Sequence, residues 1–172
     1  MTVSTCGQPA GDEVETVRCI LQRHKGDILL LQKSPDSKAA SLYEFPGGKI
    51  DAISARISTL REQTQSTVRE VFEETDIDLS SQPPKKTEEF TYTFEHKGKL
   101  YRRRVHMFHV VLAVDDDAVV IGKTVNTDGE PEDKHARFVW VSERELIELA
   151  DRGRLSGNSL RFAHTLASAS SS

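Results

Sequence analysis

The chain has 172 residues, 37% of them apolar and 29% charged, which suits one soluble globular domain with a sizeable core and leaves no room for a second full domain. Its 23 basic residues against 27 acidic ones give a formal net charge of −4, which argues against binding nucleic acid by bulk electrostatics, so a phosphate ligand must be held locally. Cys6 and Cys19 lack metal-ligand spacing and the density of a secreted disulfide scaffold; with no basic-apolar leader and no run near membrane-span length, a reduced cytoplasmic setting is expected.

Residues 1–13 are small, polar and non-periodic, and read as a flexible tail. The β-branched and apolar run 14–22 predicts a strand, and HKGD turns it into a second strand, ILLLQK, as a hairpin. SPDSKAASLYE is a loop by composition. FPGGKI is a tight Gly-rich turn, with Pro46 restricting Phe45 to extended conformations. A helix containing VREVFEETDI follows and is ended by SSQPPKK. EEFTYTFEH and KLYRRRVHMFHVVLAV form a longer hairpin about Lys97 and Gly98, after which DDD breaks the strand. IGKTVNTDGEPEDKH reads as a surface loop before a strand over 137–141. Ser142 and Glu145 match a capping box for a helix ending near Gly153, and a final helix is expected over 159–167, with 168–172 a flexible tail. The domain thus spans 14–167. Hairpins mixed with helices, without regular βαβ alternation, predict an α+β fold: an α/β/α sandwich with a mixed sheet between helices.

Glu70, Glu73 and Glu74 fall at i, i+3 and i+4 of the first helix, with Val68, Val71, Phe72 and Thr75 expected on the opposite face. Like charges at this spacing repel, so a cation that neutralises them is the natural partner, and Mg²⁺ suits carboxylate oxygens best. The plainer alternative is an ordinary solvated acidic face.

REVFEETDI over 69–77, taken with Gly48, resembles the Nudix box, and the preceding EFPGGKI resembles the MutT-like branch that cleaves nucleoside triphosphates. The resemblance implies Mg²⁺-dependent attack of water on a phosphorus of a nucleoside diphosphate linked to another group, with Mn²⁺ as an alternative ion. The small-molecule nucleotide substrate it favours is a nucleoside triphosphate, including an oxidised purine dNTP, cleaved to its monophosphate and pyrophosphate. Dinucleotide or nucleotide-sugar pyrophosphates, or a non-catalytic nucleotide-binding domain, are the alternatives. It further implies Glu70, Glu73 and Glu74 as metal ligands, Glu70 doubling as base, the Gly47 carbonyl as a further ligand, and Arg69 orienting the carboxylates. A late acid is also implied; Lys134 occupies its expected place beside His135, so Glu132 or Asp133 is the substitute. Phe45, Gly48, Lys49 and Asn158 are the substrate-binding candidates, Asn158 as a reader of a purine edge.

Two positions depart from the pattern. Asp76 stands where the family has Gly, at a helix end whose left-handed conformation Asp tolerates. Gly48 and Arg69 also enclose 20 residues, seven more than the pattern. Seven residues make nearly two helical turns, and Leu60, Thr64, Val68, Val71 and Thr75 continue one semi-apolar face backwards. With the capping box of Thr59 and Glu62, this predicts a loop over 51–58 and a helix from Leu60 that keeps its phase.

Plainer readings stand beside several of these. Arg69 also suits a surface ion pair, Tyr43 and Phe45 suit the core, and Asn158 suits a helix N-cap. His106 and His109, three apart in a strand, belong on opposite faces, and Phe138 and Trp140 belong to the core.

Overall fold

The computed structural model describes residues 13–37, 39–51, 56–113, 119–122, 124–125, 131–132 and 134–170. Its central strand is β1 (Glu13–Gln22), which runs parallel to β6 (Lys99–Val111) from Glu13 opposite Arg102 to Gln22 opposite Val111. β5 (Lys85–His96) pairs antiparallel with β6 across the Lys97–Gly98 turn, where both residues have positive φ, so the longer hairpin forms as its sequence predicts.

The first expected hairpin does not. β2 (Ile28–Lys33) meets β1 only at Gln22 opposite Ile28, and then pairs with β9 (His135–Val141). A wedge from the Gly-rich segment separates the two strands. β3 (Tyr43–Glu44) pairs with β2, and β4 (Gly47–Lys49) pairs with β1 from Thr16 to Arg18. Between them the Cys19 amide donates to the Pro46 carbonyl at 2.8 Å. Segments read as loop and turn thus supply two short strands, because their backbone groups complete ladders that β1 and β2 do not complete with each other.

The resulting seven-stranded mixed sheet carries α1 (Leu60–Thr75) on one face, with Val71 and Leu79 packed on Val17, Leu21, Leu29 and Phe108. α2 (Glu143–Asp151) and α3 (Gly157–Ser170) cover the other, through Leu146, Ala150 and Ala163 on Ile20, Leu30, Val105 and Met107. This is the expected α/β/α sandwich. α3 runs three residues past its predicted end at Ala167, because the Ala and Ser run remains compatible with a helix. β7 (Thr124–Val125) and β8 (Pro131–Glu132) form a small separate ladder within the segment read as a loop. Among the described residues no helix is long and apolar enough to cross a membrane.

Local sequence sets both ends of α1. Thr59 accepts from the Glu62 amide and the Glu62 carboxylate accepts from the Thr59 amide, a complete capping box, while Asp76 ends the helix at φ 62°. Glu62 also pairs with Arg56 at 2.7 Å, so it is engaged at the helix start. Beyond α1, the amides of Val120 and Gly122 donate to the carbonyls of Thr75 and Glu74, satisfying acceptors that a helix end leaves open. Thr59→Ala is expected to lower stability by about 1 kcal/mol, read as a lower urea midpoint at unchanged slope.

Candidate active site

The wedge meets the inward face of α1 at two glycines. Gly47 has φ +151°, and a Cβ there would lie under 3.0 Å from backbone atoms of Val17 and Arg18. Only glycine lets β4 lie this close to β1. The Gly47 amide is thereby aimed at Glu74, donating to Oε2 at 2.9 Å. A Cβ on Gly48 would lie under 3.0 Å from the Glu70 carboxyl atoms, so this residue leaves the space that Glu70 occupies.

α1 turns Gln63, Thr67, Glu70, Val71, Glu74 and Thr75 inward. This corrects the expected division of faces. Glu70 and Glu74 are buried, the Glu73 side chain is 45% exposed, Phe72 and Leu60 are exposed, and Val68 is half-buried. The reason lies in what the sheet offers: the inner carboxylates meet Gly47 N–H, Arg69 and the charges of Arg18 and Lys134, partners that a sequence pattern of apolar positions does not contain. Arg69 Nη2 lies 3.0 Å from Glu70 Oε1 and Nη1 lies 3.4 Å from Glu73 Oε1. Nη2 also donates to the Lys49 carbonyl at 3.5 Å, linking helix to Gly-rich segment.

Burial raises Glu70 above the ordinary carboxylate value, against the opposing charges of Arg69 and Lys134. Burial pushes Glu74 up to about 7, against His135, Arg18 and the Gly47 amide. Glu44 goes the other way. Although burial resists it, the charge of Arg18, the His135 hydrogen bond and Lys33 bring Glu44 down to about 2. Its Oε1 meets His135 Nε2 at 2.9 Å, and its Oε2 lies 3.3 Å from Lys33 Nζ and 3.6 Å from Arg18 Nη1. His135 Nδ1 is 3.9 Å from Glu74 Oε1, so one imidazole stands between a carboxylate held ionised and one pushed towards its neutral form.

Arg18 and Glu44 were not singled out from the sequence, and His135 served there only as a spacing marker. Arg18 donates to the carbonyls of Phe45 and Gly47 at 3.1 and 3.2 Å, holding the wedge from beneath. Its signal was legible: a charge next to the apolar run Cys19–Leu21 of a buried strand needs a partner.

The substrate-binding candidates separate. Phe45 is fully buried, edge-on to Phe162 at 5.5 Å, with its amide bonded to Ser159 Oγ. It is a core residue and has no face to offer a base, because α3 covers it. Lys49 is exposed and Gly48 half-buried beside Glu70. Asn158 lies in the first turn of α3, in a groove lined by Phe90, Tyr92, Arg161 and His164. The first helical bond there, Leu160 amide to Ser156 carbonyl at 2.9 Å, makes Ser156 the cap, so the capping role weighed for Asn158 is excluded. Phe138 and Trp140 pack against the α1-side core as expected, and His106 and His109 face opposite sides of the sheet.

The donor set, carboxylate oxygens with nearby main-chain carbonyls, fits a hard divalent cation. So does the shape at Gly48, where a missing Cβ keeps a desolvated carboxylate at the segment's surface. Among the described residues no three acidic, His or Cys side chains are gathered as ligands; Glu74 turns to Gly47 N–H, and the Gly47 carbonyl accepts from Arg18. Glu132 belongs to β8, but its side chain, like Asp133, lies outside the described residues.

A family model for the NUDIX domain matches residues 13–160. The CTP pyrophosphohydrolase of Escherichia coli (strain K12) is 26% identical over 142 residues, covering 78% of this chain and 80% of that protein. The crystal structure of the MutT protein from Methanosarcina mazei Go1 superimposes with a TM-score of 0.59 at 20% identity, covering 96% of this chain and 100% of that one. The NUDIX domain of Shewanella oneidensis NrtR, cocrystallised with ADP ribose, superimposes with a TM-score of 0.60 at 14% identity, covering 97% of this chain and 95% of that one.

Proposed function

The chain belongs to the NUDIX domain family and is a Nudix hydrolase of nucleotide pyrophosphates, and from that premise we propose that it converts a nucleoside triphosphate to its monophosphate and pyrophosphate with Mg²⁺. The observation that carries this reading is the pairing of Glu70 with Gly48 and Arg69, which holds a desolvated carboxylate beside the Gly-rich segment. The likeness to the E. coli CTP pyrophosphohydrolase supports a nucleoside triphosphate over a dinucleotide or a nucleotide sugar.

Glu70, Glu73 and Glu74 would hold the cation, with the Gly47 carbonyl as a further ligand; Glu132 is proposed as the late acid from β8. When bound, the ion supplies neutralisation of phosphate charge, the main requirement of phosphoryl chemistry. The chain's own groups supply the rest. Glu70, made more basic by burial, accepts the proton of the attacking water. Arg69 holds Glu70 and Glu73 in one orientation, and Lys49 and Gly48 receive the phosphates.

A substrate panel tests the reading: canonical and oxidised dNTPs, NTPs, a dinucleoside polyphosphate and a nucleotide sugar, each with Mg²⁺, Mn²⁺ or chelator. Pyrophosphate release from a triphosphate, abolished by chelator, is expected. Turnover only of the dinucleotide or the sugar would reject the triphosphate assignment, and none on any would favour a non-catalytic nucleotide-binding domain.

Asn158 reads the base in this proposal, because an amide offers a donor and an acceptor side by side to a purine edge. Asn158→Ala is expected to lower kcat/KM for the preferred purine nucleotide by about tenfold, with little change for a pyrimidine one. Equal losses on both would remove the recognition role.

A further inference from the structure

The segment that lengthens the box has both of its ends fastened to one residue. The main-chain carbonyl of Glu15 accepts the Ile50 amide at 3.0 Å, just after the Gly-rich strand. The Glu15 carboxylate accepts the Ser58 amide at 2.9 Å and the Ser58 hydroxyl at 2.8 Å, just before the Thr59 cap of α1. The end of the Gly-rich strand and the residue before the helix cap are thus both tied to the same residue of β1.

Glu15 is itself held from behind. His106, fully buried on β6, places Nε2 at 2.8 Å from Glu15 Oε1 and Nδ1 at 3.1 Å from Glu89 Oε2 on β5. Glu89 is fixed by Lys86 at 2.6 Å and by Arg104 at 2.7 Å, and Arg104 by Glu13 at 2.6 Å. Lys86 reaches on to Gln63 Oε1 at 3.0 Å, and Gln63 Nε2 donates to the Ser58 carbonyl at 2.8 Å. From the outer side Arg56 contributes its charge towards Glu15. A closed circuit of side chains thus runs from Ser58 through three strands and back into the first turns of α1.

We propose that Glu15, locked by His106, is a positioning residue: through Ser58 it sets where α1 starts, and so where Glu70 and Glu73 stand against Gly47 and Gly48. It touches neither substrate nor ion. The inference rests on the pyrophosphohydrolase reading for its catalytic consequence, and on geometry alone for its effect on the carboxylates. An error at the start of a rigid helix is carried along its length, because the hydrogen-bonded ladder leaves little compliance between Thr59 and Glu70. Groups that orient metal-binding carboxylates typically govern about 10–100-fold in affinity or activity.

Ser58→Ala and Glu15→Gln test it, since the first removes one surface hydroxyl and the second keeps the shape of the side chain. Three measurements apply: Mn²⁺ binding to the free protein by titration calorimetry, amide exchange over residues 60–70, and kcat and KM with Mg²⁺. Expected are roughly tenfold weaker Mn²⁺ binding, faster exchange at the start of α1 and a kcat lower by about tenfold at unchanged KM. The double variant should lose little more than Glu15→Gln alone, because residues acting as one unit are not additive. His106→Gln, which keeps an N–H for one carboxylate, should fall between wild type and Glu15→Gln. Wild-type Mn²⁺ binding in Glu15→Gln, whatever its thermal stability, would overturn the positioning role. Should wild-type protein turn over no nucleotide, the enzymatic reading fails by itself, and Mn²⁺ binding and amide exchange still decide the role of Glu15.

Discussion

Glu70→Gln is expected to lower kcat by about 10²–10⁴-fold, the span associated with a lost general base, while leaving the fold intact. The side chain keeps its shape and its place against Gly48, but a neutral amide neither accepts a proton from water nor neutralises a divalent cation. Stability should move the opposite way from activity. Burial raises Glu70 above its ordinary value, so the folded protein holds this proton to higher pH than the unfolded chain does. The sign follows from linkage: stability contributed by the protonated group is complete below the ordinary carboxylate range and is lost as pH rises through the raised value. At neutral pH the ionised carboxylate is therefore a cost, and Gln removes it. Arg69 loses one partner but keeps Glu73 and Asp51. Thermal melts across pH should show the variant at least as stable as wild type near neutrality, the difference vanishing in acid. Glu73→Gln, at a half-exposed position, should lose most turnover. Wild-type kcat for either variant at saturating Mg²⁺ would remove that residue from the machinery.

The opposed responses bear on what a sequence can reveal. Both capping boxes, the Lys97–Gly98 turn and the left-handed Asp76 were readable because each depends on residues within a few positions of one another. The start of α1 at Leu60 was readable for the same reason, although the box around it is longer than its pattern. Burial of Glu70 and Glu74 was not, because what faces them comes from elsewhere in the chain: the Gly47 N–H that Glu74 accepts belongs to the wedge between β1 and β2, and the charge of Arg18 belongs to β1 itself. That wedge was hidden as well. Two strands joined by a short turn read as a hairpin, and nothing local says that they separate after one pair. Phe45 followed the same rule: its fate is decided by Phe162 and Ser159, more than a hundred residues away. The glycines carried more than their turn chemistry. Their spacing identified the segment, but only the structure shows which one spares a backbone and which one spares a carboxylate.

That difference gives the adjacent substitutions Gly47→Ala and Gly48→Ala separate outcomes. At Gly47 the added Cβ meets backbone of Val17 and Arg18 at under 3.0 Å, with φ at +151°, a region that residues other than glycine rarely adopt. Neither obstacle can move without separating β4 from β1, so Gly47→Ala should cost the fold, with loss of soluble protein or a strongly lowered Tm. At Gly48 the obstacle is the end of one flexible side chain, the carboxylate of Glu70. Glu70 can turn away, and the backbone can stay. Gly48→Ala should therefore fold with a Tm close to wild type and lose kcat by on the order of 10²-fold, the cost associated with a reacting group misplaced by about an ångström. Turning Glu70 away also loosens Arg69, which holds it at 3.0 Å, so Mn²⁺ binding should weaken in the same variant. Combining Gly48→Ala with Glu70→Gln provides the decisive comparison: if the added methyl acts only by displacing this carboxylate, the double variant should be no slower than Glu70→Gln alone. A further drop of the same size in the double variant would show that Gly48 acts on the phosphates or the main chain instead of through Glu70.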